Sequence, residues 1–331
     1  SPEDFRVEEI PLVDPAGEGN HLWLEIEKRG ANTQWVARQL ASAAAVKPRD
    51  VGFAGMKDRH GVTTQWFSIG LQEAGNDDWA SWSIEDVRLL SAQRRTRKLK
   101  RGALRGNRFR IVTRQIAGSK DDLEERLRVI QSRGVPNYFG PQRFGHGGLN
   151  VERARAWLAD GGRIRRDKRS IYLSAARSFL FNELLARRVE EQNWDRLLDG
   201  DVAILDGRRS VFSCDPLDEE LEARCSRMEI HPTGPMPGRD GVQPGREAGR
   251  LEQEILNAHH ELLVGLERAG LESARRSLRM PAKALDWSHE SDVLELTFEL
   301  PSGSFATSVL RELVNVKDAA MFKGTEFRGS E

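Results

Sequence analysis

The alternation that opens the chain as β-strand returns near its end, after a long helical and loop-rich middle. Residues 21–27, HLWLEIE, place Leu22, Leu24 and Ile26 on one face, the pattern of a half-buried strand. Residues 51–54 and 62–69 read as two more strands, the second (VTTQWFSI) rich in β-branched and aromatic types. Another strand is expected over 107–114, NRFRIVTR, and the pattern reappears at 292–300, DVLELTFEL. A β-rich start, a helical middle and a β-rich end constrain the chain to a first domain built from both ends, with a second domain looped out between them. The length of 331 residues accommodates two modest domains or one large one.

Helix signals fall where this scheme needs them. Asn32 or Thr33 can cap a helix running to about Ala45, ended by Pro48. Ser119 opens another with an S-x-x-D start and an apolar stripe of Leu123, Leu127 and Ile130. Residues 134–148, GVPNYFGPQRFGHGG, fit no regular period and read as a shaped loop. Helices are expected over 150–159, 173–190 and 250–269, with a basic knot, RIRRDKR (163–169), between the first two. An acidic stretch lies around 215–222, and the Pro/Gly-rich residues 231–245 read as a long loop. A PSG turn at 301–303 leads into a helix from about Ser304 to Val314.

Charge narrows the functional classes. Lys plus Arg and Asp plus Glu number 51 each, so the chain has no overall field for nucleic acid and any polyanion site must be local. Residues 94–110, RRTRKLKRGALRGNRFR, hold nine basic residues in seventeen and no acid. Such a run neutralises phosphates and releases their counterions. Arg94, Arg95, Arg97, Lys98, Lys100 and Arg101 are the expected backbone contacts, with Arg165 and Arg166 in a second patch. The alternative is a solvated arm or a strand edge guarded by charge. The two cysteines, Cys214 and Cys225, lie in no metal-ligand spacing and make no disulfide framework, so no zinc site is expected. Two free thiols suit a reducing cytosol. No apolar run approaches the ~20 residues of a membrane span, and no signal-peptide pattern opens the chain. A cytoplasmic protein is expected, whose natural start lies upstream because the first residue is Ser1.

One carboxylate stands out in FAGMKDRHGVTTQWFS, residues 53–68. Asp58 lies between Lys57 and Arg59, in a loop bounded by Gly55 and Gly61 and flanked by strands. It is either an ordinary charged turn or a carboxylate kept ionised for work as a nucleophile or base. In extended backbone both flanking cations would face away from it. If 107–114 is a strand, Asn107 and Phe109 share a face about 6.6 Å apart; an amide beside a ring suits a nucleobase pocket, and a core ring beside a turn residue is the bland reading. Phe305 and Arg311 can be a second aromatic wall and an anion contact, or a buried ring and a surface charge. His60 reads as a loop histidine, and the adjacent His259 and His260 share no helix face and form no metal pair.

Six motifs in order, PEDFRVEE (2–9), FAGMKDRHGVTTQW (53–66), GNRF (106–109), GVPNYFGPQRFG (134–145), KRSIYLSAARSFLFN (168–182) and PSGSFATSVLREL (301–313), resemble the TruD family of tRNA pseudouridine synthases. The resemblance spans nearly the whole chain and is weakest from about 190 to 280. It implies an α+β fold: a pseudouridine-synthase-like, mixed, mainly antiparallel sheet domain over 1–135 and 282–331, with an inserted α/β TRUD domain over 136–281. It implies a cofactor-independent isomerase that converts a flipped-out uridine of tRNA, at position 13, to pseudouridine, with RNA in a basic cleft between two domains. The family's catalytic aspartate maps to Asp58, and its substrate contacts map to Phe5, Asn107, Phe109 and Phe305; Lys57, in the same loop motif as Asp58, is expected to bind substrate as well. Members carry a basic residue just before P-E-D-F. This chain opens at that point, so no residue here is assigned to that role. tRNA is the implied partner, with no obligatory protein partner.

Two other classes compete. A non-catalytic RNA-binding protein would keep the basic face but has no use for the Asp58, Asn107 and Phe109 set. A methyltransferase is disfavoured, because no Gly-rich loop opens a helix after a strand; GHGG at 145–148 is short and follows a loop.

Overall fold

The computed structural model describes residues 1–12, 17–71 and 78–314. Residues 315–331, expected in the first domain, lie outside the described residues. In chain order come strands β1 (Phe5–Pro11) and β2 (His21–Arg29), helix α1 (Thr33–Ala43), and strands β3 (Val51–Phe53), β4 (Val62–Gly70), β5 (Val87–Arg95) and β6 (Leu104–Thr113). Helix α2 (Lys120–Arg133), strand β7 (Val135–Pro136) and helices α3 (Leu149–Asp160) and α4 (Arg166–Glu190) follow. Next are strands β8 (Val202–Leu205) and β9 (Val211–Ser213), helix α5 (Glu219–Ser226), strand β10 (Ile230–Met236) and helices α6 (Arg246–Ala258) and α7 (His260–Arg268). The described chain closes with strands β11 (Ala274–Ser277), β12 (Arg279–Met280), β13 (Lys283–Glu290) and β14 (Val293–Pro301) and helix α8 (Ala306–Leu313).

Contacts divide these elements into two compact units. The first joins Ser1–Gly118 to Ala282–Ser304, and the second comprises Ser119–Pro281 with the described residues from Phe305 onward. The architecture is α+β.

The first unit is one eight-stranded sheet in the order β13-β14-β6-β1-β4-β2-β5, with β3 added on β4. All its pairings are antiparallel except β1 with β4. The alternation of β2 buries Leu22, Leu24 and Ile26, which pack with Val36 and Leu40 of α1 and with Phe67 and Ile69 of β4. Asn32 starts α1 as expected, its side-chain oxygen accepting from the Gln34 and Trp35 amides. Strand β6 begins three residues earlier than the sequence pattern shows, because Leu104 is drawn into the cluster of Trp23, Ala54 and Leu99. The basic run therefore enters the sheet and is not an arm.

The second unit carries a four-stranded antiparallel sheet, β11-β10-β8-β9, and a short β7-β12 ladder. Helix α4 packs on α3, and Leu173, Ala176 and Leu180 meet Leu158, Leu262 and Leu266 in one cluster. Ser119 caps α2 by accepting from the Asp122 amide, and Leu123, Leu127 and Ile130 are buried as their spacing requires.

Three expectations need correcting here. Residues 231–236 are not loop but β10, an inner strand between β8 and β11. Its prolines lack donors, yet their carbonyls still serve, and Pro232 O accepts from Leu278 N at 2.9 Å. The segment expected as one helix over 250–269 is two, α6 and α7. His259 breaks it at φ −127°, ψ 36°, with its ring edge-on to Phe179 at 5.0 Å and beside Arg155. Helix α4 starts at Arg166, so half of the basic knot lies in its first turns rather than ahead of it; Asp167 there favours the positive helix end.

Candidate functional site

Loop 54–61 joins β3 to β4 in the first unit, and buried polar side chains hold it from beneath. The face of β2 that buries Leu22, Leu24 and Ile26 continues to Lys28, which is fully buried. Its ammonium donates to Ala31 O at 2.8 Å and to Asp58 O at 3.0 Å. Thr33, at the start of α1, accepts from the Lys57 amide at 3.1 Å and donates to Gln65 Oε1 at 3.0 Å. Gln65 Nε2 in turn donates to Gly55 O at 3.3 Å. Backbone groups that water would otherwise solvate are thus fixed by side chains. Gly61 ends the loop against β1: a Cβ there would lie 2.4 Å from Phe5 O and 2.8 Å from Phe5 Cδ1, so glycine is required. Gly55 carries no such demand, its nearest neighbour being Lys57 Nζ at 3.5 Å.

Lys57 and Asp58 point opposite ways. Lys57 turns inward, its side chain 5% exposed, and donates to Glu9 Oε2 at 2.7 Å. Arg59 Nε donates to His60 Nε2 at 3.2 Å. Both flanking cations are therefore spent elsewhere, and among the described residues none is ion-paired with Asp58. Asp58 is exposed, and its Oδ1 accepts from the His60 amide at 2.9 Å, a local Asx turn that sets the carboxylate's direction. The cation under this turn is Lys28. Burial pushes its ammonium down to about 8, against the pull of the Asp58 charge.

Asn107 is the cross-strand partner of Glu9, and Phe109 that of Val7, so with Phe5 they share one sheet face. Glu9 Oε1 and Asn107 Oδ1 are both buried with no hydrogen-bond partner. Desolvation pushes the Glu9 carboxyl up, and Lys57 opposes it. Phe5 is half-buried and tilted over Phe109, with centroids 6.2 Å apart. Phe109 is 6% exposed and stacked on Phe298 at 5.5 Å. In this structure it is a core ring supporting Phe5, which matches the bland reading of its position.

The basic run divides by function. Arg108 bonds Glu299 and Glu8, and Arg110 bonds Glu295, so these two are neutralised across the sheet. Arg95 lies over the Trp23 ring at 5.7 Å, and Arg94 is half-buried beside it in β5. Lys98 donates to Arg49 O. Arg97, Lys100 and Arg101 are exposed, with Arg101 over the Phe53 ring at 5.0 Å. In the second unit, Phe305 is the half-buried N-cap of α8, Arg311 stacks on Tyr138 at 4.6 Å, Arg165 pairs with Asp167 at 3.2 Å, and Arg166 is exposed.

Sequence reasoning missed Lys28, Glu9, Thr33 and Gln65. Three of them were signalled by polar residues at apolar beats: Lys28 after Leu22-x-Leu24-x-Ile26, Glu9 after Phe5-x-Val7, and Gln65 two before Phe67. Thr33 carried no such mark. Cys214 and Cys225 are buried free thiols, and burial pushes Cys214 up to about 11. Among the described residues, no group of three His, Cys, Asp or Glu could hold a metal ion, and no helix is long and apolar enough to cross a membrane.

Comparison with known proteins places the chain in a family. The family model of tRNA pseudouridine synthase D (TruD) matches residues 1–152 and 161–313. A tRNA pseudouridine synthase D of Methylococcus capsulatus is 50% identical over 316 residues, covering 95% of this chain and 89% of the relative. One from Nitrosococcus oceani is 47% identical over 325 residues, covering 96% and 90%. A crystal structure of a Methanosarcina mazei protein assigned to the same group shares the fold, with a TM-score of 0.73 at 22% identity over 95% of this chain and 92% of that one. The class is that of pseudouridine synthases, which are isomerases. The chain belongs to the tRNA pseudouridine synthase D (TruD) family.

Two outcomes test the framework under the loop. Lys57→Met strands a buried Glu9 charge and is expected to cost about 3–5 kcal/mol in denaturant unfolding at neutral pH, whereas the Glu9→Met/Lys57→Met double variant regains most of it. For Lys28 the folded value is about 8 against an ordinary 10.5. Between those two values the unfolded chain binds more protons, so this group makes stability rise with pH; below pH 8 its burial penalty is present in full. Stability of the parent chain relative to Lys28→Met is therefore expected to increase between pH 8 and 10.5, by up to about 3 kcal/mol; a flat difference across that window would show that Lys28 titrates normally.

Proposed function

We propose that this protein isomerises one uridine of tRNA to pseudouridine, position 13 being what the family resemblance implies, with Asp58 as the catalytic carboxylate. The observation that carries the assignment is the pairing of an exposed carboxylate with a loop backbone fixed by Lys28, Thr33, Gln65 and the Lys57–Glu9 pair. Catalytic groups must be held still while substrate reaches them, and this loop meets both conditions.

The reaction breaks the N1–C1′ glycosidic bond, rotates the uracil and forms a C5–C1′ bond; the proton lost from C5 balances the one gained at N1. Nothing is oxidised or reduced. The uridine must first leave its stack, at a cost of a few kcal/mol. Phe5, carried on Phe109 and Phe298, offers a ring for the extruded base, and base–aromatic stacking contributes about 1–3 kcal/mol. The unpartnered Asn107 Oδ1 accepts an N–H of the pyrimidine edge. Asp58 then attacks the sugar or base, or takes a proton from the ribose. Lys57 acts through Glu9 and the loop rather than by touching RNA.

The unit built from both ends of the chain is, in this reading, the catalytic domain, and the middle is the inserted TRUD domain. Arg97, Lys100 and Arg101, with Arg94, Arg95 and Lys98 beside them, meet the phosphate backbone, as does Arg166. The protein works in the cytoplasm, where tRNA is modified, and the two buried thiols suit that setting.

Asp58→Asn is expected to bind unmodified tRNA as the parent does and to form no pseudouridine in a mapping assay; full conversion by this variant would move catalysis to another residue. Arg97→Gln/Lys100→Gln is expected to weaken tRNA binding and to reduce the slope of log K against log salt by about 0.7–0.9 for each phosphate that is no longer neutralised. An unchanged slope would leave these residues as a solvated turn.

A further inference from the structure

One face of α4 and the segments packed on it form a cavity of about 390 Å³ in the second unit. Arg166, Arg169, Ser170, Ser174 and Arg177 line it, at the three- and four-residue spacings that put them on a single helix face. Its apolar side is Leu173, Met236 and Leu271, and no Asp or Glu contributes to the lining.

The guanidinium groups are positioned but not neutralised. Arg169 Nη2 donates to Ala269 O at 2.8 Å. Arg177 Nη2 donates to Met236 O at 2.6 Å and Glu272 O at 3.0 Å, and its Nε is buried with no partner. Burial pushes the Arg177 guanidinium down from its ordinary value. A fourth arginine reaches the rim: Arg143 Nη1 donates to Ser174 Oγ at 2.9 Å, with its plane over Phe139. Behind it, Arg276 lies 4.1 Å from the same Phe139 ring and 5.5 Å from Phe181, and its guanidinium donates to Asn137. Among the described residues, none of these five arginines forms an ion pair. The chain has as many acids as bases, and carboxylates pair with arginines elsewhere, Arg108, Arg110, Arg188 and Arg275 among them. Like charges gathered against a low-dielectric wall without a carboxylate call for an anion from outside.

We infer that this cavity is a phosphate subsite for the RNA backbone, in which Arg166, Arg169 and Arg177 hold one phosphodiester while its sugar lies against Leu173 and Leu271. The inference rests on the tRNA reading above and gives the second unit a defined contact in place of a diffuse basic patch. Arg165, next to this cavity in sequence, is paired with Asp167 at the surface.

The test compares two double variants of the full chain that remove equal charge from the same unit. Arg166→Gln/Arg169→Gln strips the cavity, and Arg208→Gln/Arg209→Gln strips two exposed arginines between β8 and β9. Affinity for an unmodified tRNA transcript is measured over a salt series. The cavity variant is expected to bind about tenfold more weakly, with the salt slope reduced by about 0.7–0.9, and the control to match the parent. Equal effects from the two, or none from the first, overturn the subsite. Should the cavity variant melt early through loss of the Arg169–Ala269 bond, Arg166→Gln alone carries the same expectation, because it breaks no hydrogen bond among the described residues. Inorganic phosphate alone is the second probe: saturable binding that the cavity variant loses, with tRNA affinity unchanged, would assign the cavity to a free anion instead. A parent chain that fails to bind tRNA at all would refute the proposed function rather than this cavity alone.

Discussion

The loop that carries Asp58 is anchored by a buried contact one residue away. Lys57 reaches down to Glu9, while the Asx turn to the His60 amide holds the Asp58 carboxylate at the surface. A buried ion pair is a poor source of net stability, since desolvation offsets most of the attraction. Its use here is orientation: it ties the loop to β1, the strand that also bears Phe5 and, across the ladder, faces Asn107. Lys28 and Thr33 close the remaining gaps, so the turn rests on the ends of β2 and α1.

Much of this was legible beforehand, for identifiable reasons. Strands with strong alternation, such as β2 and β14, or with β-branched and aromatic content, such as β4, and helices with caps, such as α1 and α2, announce themselves by local chemistry. The site loop was visible because a lone carboxylate between two glycines is conspicuous. Illegible was anything set by long-range packing. A proline-containing segment became an inner strand because β8 and β11 flank it, and Phe109 became a supporting ring because Phe298 arrives from the far end of the chain. The glycines show the same limit: both looked permissive, and only Gly61 is held to glycine by Phe5.

Net neutrality concealed two populations of arginine. On the sheet, Arg108 and Arg110 are matched by glutamates of neighbouring strands. At Arg169 and Arg177 of α4 and in the loop around Phe139, arginines are braced by carbonyls, a hydroxyl and aromatic faces. Guanidinium planes tolerate such surroundings because they are weakly hydrated and can stack. A composition count cannot separate the two kinds, since the difference lies in what each side chain meets.

The pairing of β6 with β14 also bears on how the protein is made. Thr113 is hydrogen-bonded alongside Leu294, so as the ribosome delivers the chain from its N-terminus, β6 is complete long before its neighbour exists. Until then one flank of β6 is an open template for any stray strand, and the positive charges of Arg108 and Arg110 discourage such encounters. When β14 emerges, Glu299 and Glu295 meet those same charges in a single alignment. The guard on the nascent edge thereby becomes the key that sets the final register.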